Sequence, residues 1–170
     1  MTSRPPSRAH VYALAISRLI AALALLATGG IHLEQYIVAD YRVIPTIGPL
    51  FLLNFIGGTV LGLYFLVPAR AQVGRVRWLL DSVAALSGWA IGVGGLVALF
   101  ISEAMPLFGF MEHGYRLEIV IAIVAEGVTV VALSVFLALR NRRPGPSRHA
   151  RRRPDGGVGV TPARPATEPQ

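Results

Sequence analysis

Cysteine is absent from the 170-residue sequence, and so is lysine. The first absence excludes disulfides, thiolate metal centres, iron–sulfur clusters, covalent c-type haem and dithiol redox chemistry. The second leaves all 16 basic residues as arginine, which we read as coding bias, because physics does not bar lysine from a solvated tail. Charge is scarce at 15%, with only nine Asp and Glu. A soluble domain of this length carries more charge, and its apolar residues recur periodically instead of running on. Catalytic motifs are missing too. There is no HExxH and no second histidine at helical spacing from His32, while His113 falls in a loop. The site carries no resident metal by this reading, and a bis-histidine haem has little support. Gly92-Val93-Gly94-Gly95 follows no strand and lies inside an apolar run, so it is packing sequence and no dinucleotide loop.

What is present is apolar sequence: 54% of the residues are hydrophobic, and the mean hydropathy is +0.58. It falls into four runs, 11–33, 47–67, 78–101 and 117–139. At about 1.5 Å per residue, each crosses a hydrocarbon core of roughly 30 Å. The expected fold is therefore all-α, an integral membrane bundle of four transmembrane helices. Pro45, Pro49 and Pro68 bracket the second run, where a helix cannot simply continue. A cleaved leader is the rival reading of the first run, with small residues at Ala27-Thr28-Gly29. Arg18 interrupts the apolar core that a leader needs, and the later spans orient consistently if the first one stays. Between the last two runs, residues 102–116 carry Phe108, Phe110, Met111 and Tyr115, which suits a segment at headgroup level.

Arginine sets the topology. Residues 1–10, 69–77 and 140–170 hold 13 arginines, against two in the opposite loops, Arg42 and Arg116. The positive-inside rule then places both termini in the cytoplasm. The pI near 11 would otherwise suggest nucleic acid; the distribution makes it a topology signal, and no nucleic-acid partner is expected. Residues 140–170 are rich in Arg, Pro and Gly, cannot build a core and are expected to be disordered. Within them Arg148, Arg151, Arg152 and Arg153 form a cluster for anionic lipid headgroups, each worth about 1 kcal/mol near a charged leaflet. A solvated tail without further role is the alternative.

Lipid tails are as apolar as leucine, so the helices must associate through close packing and polar contacts. Gly58 and Gly62 in the second run, and Gly88, Gly92 and Gly95 in the third, supply small-residue tracks. Arg18 lies about 10 Å into the first span by the helical rise. Asp81 lies about 5 Å into the third from the same face, by the same arithmetic. Either Arg18 snorkels and Asp81 caps a helix start, or the two pair and fix how helices one and three pack.

The other face gathers His32, Glu34, Tyr36, Asp40, Glu103, Glu112, His113 and Glu118. Arg18, Ala22, Leu25, Gly29, His32 and Tyr36 share one side of the first helix. His32 suits a metal, haem or proton, or simply a hydrogen bond to a neighbouring carboxylate. Glu126 is the most promising candidate. It lies about 12 Å below the outer end of the fourth span. Asn54 lies about 10 Å below that of the second, so the depths match. A carboxylate facing lipid at this level is very unfavourable, so Glu126 is expected inside the bundle, uncharged unless a cation approaches. Asn54 and His32 are its expected partners. The arrangement reads as a proton or ligand site lined by Tyr36 and Glu103, or as an interhelical hydrogen bond worth about 0.6–2 kcal/mol.

Four spans, a small-residue-rich first helix ending in Gly29-Gly30-Ile31-His32-Leu33, and a length under 200 give a chain that resembles the DoxX-like four-helix membrane proteins of bacteria. The resemblance covers residues 11–139. It implies a multi-pass protein of the bacterial cytoplasmic membrane, and a link to quinone or thiosulfate redox systems. No site residue is carried over. Three functions stay open: a non-enzymatic membrane subunit or scaffold, alone as a homo-oligomer or with a membrane-protein partner; a quinone- or haem-associated redox subunit; and a small proton-coupled transporter using Glu126. The first is favoured, because no stronger signal is encoded.

Overall fold

A computed structural model describes residues 7–67, 75–111, 114 and 116–141. It consists of four helices, α1 (Arg8–Ile37), α2 (Ile47–Leu66), α3 (Arg75–Ala104) and α4 (Leu117–Asn141), with one 3-10 turn at Tyr41–Val43. Each of the four is long and apolar enough to cross a membrane. There is no strand among the described residues. The cluster Arg148, Arg151, Arg152 and Arg153 lies outside them, as do Glu112, His113 and Tyr115.

The helices begin and end where local chemistry permits, which is beyond the apolar runs in three cases. α1 starts three residues before its run because Ser7 caps it, its hydroxyl accepting from the His10 amide at 3.3 Å. α2 starts abruptly. Thr46 sits at φ 68° and ψ −49°, and the Ile47 amide bonds back to the Pro45 carbonyl at 2.8 Å. That is a γ-turn of positive φ, a strained conformation for a β-branched residue. Gly48 follows because the chain is pressed against the Tyr41 and Arg42 carbonyls, 2.9 Å from where a Cβ would stand. At its other end α2 stops at extended Val67, before Pro68, as the residue preceding a proline prefers.

The four helices alternate in direction. One end of the bundle, the tail end, holds the start of α1 and the finish of α4. The other, the far end, holds residues 38–46 and 105–111. α1 packs extensively on α2 and on α4, and α3 packs on α4, whereas α2 and α3 touch only sparsely. The burial pattern is inverted relative to a soluble bundle. Leu23, Leu53, Val60, Val83 and Val131 are more than half exposed, while Ser17, Thr28, His32, Gln35, Asp81, Glu126 and Thr129 are buried. An apolar outer sheath over a polar-bearing interior is what a hydrocarbon solvent selects.

Close approach is achieved by glycine. A Cβ at Gly58 would stand 2.8 Å from the Leu25 carbonyl oxygen, and one at Gly29 would stand 3.1 Å from that of Phe55. The α1 and α2 backbones therefore touch directly, as the Gly58 and Gly62 track led us to expect. The tail-end half of the core is completed by Ala21, Ala22, Leu25, Phe65, Ala85, Leu133 and Phe136. Backbone cannot move aside as a side-chain tip can. Gly58→Ala is accordingly expected to lower stability in mild detergent by about 1–3 kcal/mol. Gly30 has open space around its missing Cβ, so Gly30→Ala should be neutral or stabilising by up to about 1 kcal/mol. Equal melting temperatures for the two variants would contradict this account.

Candidate functional site

Two polar clusters occupy the bundle, one at each end. At the tail end, Arg18 and Asp81 do approach, Nη1 to Oδ1 at 3.7 Å, with both side chains largely buried. The pair is only part of the arrangement. Arg18 donates to three carbonyls at the finish of α2: Phe65 at 2.9 Å, Val67 at 3.0 Å and Tyr64 at 3.2 Å. It therefore satisfies orphan carbonyls where the helix dipole is negative. Asp81 accepts from the Tyr64 hydroxyl at 2.7 Å and lies 3.6 Å from Arg77. Neither the helix-ending carbonyls nor Tyr64 figured in the sequence reading. The cluster joins α1, α2 and α3 and has the character of a structural clasp. On the neighbouring helix, the Arg140 guanidinium lies over the Trp78 and Phe136 rings and donates to the Trp78 carbonyl.

The second cluster lies in the far-end half, where α2 and α3 fail to close. A partly open cavity of about 470 Å³ runs between them, with α1 and α4 behind it. His32, Asn54 and Glu126 meet there from three different helices. The His32 ring donates through Nδ1 to the Thr28 carbonyl at 2.8 Å, one turn back on α1. Its Nε2 receives the Asn54 amide at 3.1 Å. A carbonyl can only accept and an amide nitrogen can only donate, so this arrangement fixes the neutral Nδ1–H tautomer. Both ring nitrogens are engaged, which leaves none for a metal or haem in this arrangement. The same Nε2 lies 3.7 Å from Glu126 Oε1. Glu126 itself is 2% exposed and lines the cavity. Among the described residues its carboxyl has no hydrogen bond.

Space for that carboxyl comes from Gly95 on α3, where a Cβ would overlap it. The remaining walls are mostly apolar, from Ile47 and Leu50 on α2 to Ala90, Ile91 and Ala98 on α3. Aromatic rings form the far-end cap. Phe51 stacks at 5.0 Å from both His32 and Tyr41, and Phe110 lies 5.2 Å from Tyr41. Phe110 is held by a tight turn. Leu107 and Phe110 exchange both backbone hydrogen bonds, at 2.7 and 2.9 Å, across Phe108 and Gly109. Both central residues have positive φ, 52° and 82°, as a type I′ turn requires. The Tyr41 hydroxyl accepts from Arg116 at 2.9 Å, tying the two far-end connections together.

Of the candidates named from sequence, His32, Asn54 and Glu126 line the cavity, and Tyr36 and Glu103 do not. The α1 side facing inward runs Ala21, Leu25, Thr28, His32, Gln35. Tyr36 is rotated about 100° beyond Gln35, which takes its place at the cavity. Gln35, Tyr41, Phe51, Ser102 and Glu118 belong to the lining and were not assigned to the site. A signal existed for Gln35, which continues the spacing of Thr28 and His32; none existed for Tyr41 or Gly95, whose roles arise from other elements. Glu34 holds Gln35 at 2.6 Å, and Asp40 pairs with Arg42 on the surface.

No protein-family model, curated protein or solved structure matches the chain. The resemblance to DoxX-like proteins therefore rests on the sequence pattern, and the site has to be argued from its own chemistry.

Two double-mutant cycles test this geometry. Gly95→Ala inserts a methyl group where the Glu126 carboxyl sits, and should destabilise the bundle by less than Gly58→Ala does, about 1 kcal/mol, because the carboxyl tip can shift into the cavity. Combining it with Glu126→Ala should recover most of that loss, and additive losses in thermal unfolding would show that the two positions do not share space. At the tail end, Tyr64→Phe should cost about 0.5–1.5 kcal/mol in a wild-type background. In an Asp81→Leu background it should cost nothing, which a double-mutant cycle would reveal.

Proposed function

We propose that the protein binds a small amphipathic molecule drawn from the bilayer in the cavity between α2 and α3, with the polar end of that molecule at His32, Asn54 and Glu126. The observation that carries this is the convergence of three polar side chains from three helices on a cavity whose other walls are mostly apolar. A packing hydrogen bond needs two groups and no space. Here Glu126 has space beside it and no hydrogen bond among the described residues. A volume of about 470 Å³ falls within the range of about 300–1,000 Å³ typical of small-molecule sites. This favours a ligand- or proton-handling membrane protein over a bare scaffold.

The arginine distribution supports a setting in the bacterial cytoplasmic membrane with both termini in the cytoplasm. In that orientation the cavity occupies the extracytoplasmic half and the Arg18–Asp81 clasp the cytoplasmic half. The arginine-rich tail then meets anionic headgroups.

Native mass spectrometry of the full chain released from mild detergent tests the reading. The wild type is expected to carry a bound small-molecule mass. Ala122→Phe, which fills the cavity from the α4 wall one helical turn before Glu126, should lose at least about nine-tenths of it. The same adduct on both proteins, or none on the wild type in several detergents, would remove the proposal.

A further inference from the structure

We propose that the ligand of this cavity is an amphipathic organic cation, an ammonium group on an apolar body, with the Glu126 carboxylate as its counter-charge. The inference rests on the cavity being a ligand site and adds the charge of what enters.

Glu126 is buried, faces open volume and lacks a hydrogen-bond donor among the described residues. His32 does not serve as its counter-ion, since the ring holds Thr28 and Asn54 in its neutral tautomer. A second carboxylate, Glu118, lies in the same lining one helical stretch toward the far end. Among the described residues no arginine lines the cavity. Arg116 is the nearest by sequence, and its guanidinium is directed to the Tyr41 hydroxyl. The polar groups that α2 and α3 present, Asn54 and Ser102, carry no charge. Every formal charge that the lining can carry, apart from a protonated His32, is therefore negative. An anionic ligand finds no counter-charge in this lining, and a cation is the ligand whose charge matches the carboxylate it draws out.

The walls fit the same class. Tyr41, Phe51, Phe108 and Phe110 all border the cavity. Aromatic faces attract a cation through the ring quadrupole, most strongly where water is excluded. Carboxylate on one side and rings on the other is a combination that suits an ammonium group with hydrocarbon attached.

The absence of cysteine makes the test direct, because a single introduced thiol is the only one present. Ala98→Cys places that thiol on the α3 wall of the cavity, one helical turn from Gly95 and so within reach of the Glu126 carboxyl's field. The full chain in lipid nanodiscs at pH 8 is treated with three methanethiosulfonate reagents. They are neutral methyl, cationic trimethylammonioethyl and anionic sulfonatoethyl. Each rate is divided by the rate of that reagent with free 2-mercaptoethanol. The neutral reagent should react, and the cationic reagent should be favoured over the anionic one by roughly tenfold or more. Adding Glu126→Gln should bring that ratio down toward one while the neutral rate stays within about twofold, which also shows that the double variant is folded. Equal normalised rates for cation and anion, or a preference that survives Glu126→Gln, would overturn the charge assignment and leave the cavity as a ligand site. A thiol that the neutral reagent cannot reach would remove the ligand site and this inference with it.

Discussion

Inside an apolar sheath, water is not at hand to satisfy a polar group, so polar groups turn to partners in the protein, on their own helix or on another. That constraint organises this bundle. Arg18 is not free to reach bulk solvent cheaply, and it satisfies the open carbonyls at the finish of α2 while standing beside Asp81. Tyr64 turns its hydroxyl to Asp81, and Asn54 turns its amide to His32. These contacts are the directional ones; the apolar contacts between helices resemble those each helix would make with lipid. Glycine makes the directional contacts reachable, because the α1 and α2 backbones must come close before Arg18 can touch Phe65 or His32 can touch Asn54.

The same constraint explains why the two ends differ. At the tail end, large side chains such as Phe65, Leu133 and Phe136 fill the centre and the charges saturate one another. Toward the far end, α3 presents Ala90, Gly94, Gly95 and Ala98 to the centre. These small residues leave the gap to α2 partly unfilled, so a cavity remains. The far-end connections close over it with Tyr41, Phe108 and Phe110, held by a strained γ-turn at Thr46 and a type I′ turn at Phe108-Gly109. Strain of this kind persists only where the surroundings over-determine it, and here it positions the rings above a carboxyl. Structure and proposed function meet in one feature: the gap that α3 leaves is the space into which Glu126 points.

Much of this was legible in advance. The four spans and the all-α class follow from uninterrupted apolar runs, because length and hydropathy are local properties. The depth match of Asn54 and Glu126, with His32 nearby, also followed from counting residues along each run, since helical rise converts sequence number into depth. Counting fails for rotation. Tyr36 and Gln35 are one residue apart and differ in depth by only about 1.5 Å, yet only Gln35 borders the cavity. Glu103 lies at a suitable level on α3 and remains outside the lining for the same reason. The helices run a few residues past the apolar runs at Arg8, Arg75 and Asn141 because hydropathy marks where lipid ends, whereas capping and backbone hydrogen bonding mark where a helix ends.

The sequence by itself determined the solvent this chain is built for, the number of helices, the axial depth of each polar side chain and the redox chemistries that a cysteine-free chain cannot perform. Only the tertiary structure decided azimuth and adjacency: that α2 and α3 stand apart, that Gly95 makes room for Glu126, that Arg18 answers carbonyls as well as a carboxylate, and that Tyr41 from a connecting turn borders the site. The physical reason is that depth is additive along one helix and can be read from one strand of sequence. Which faces meet is settled by the joint packing of four helices, through contacts between residues tens of positions apart.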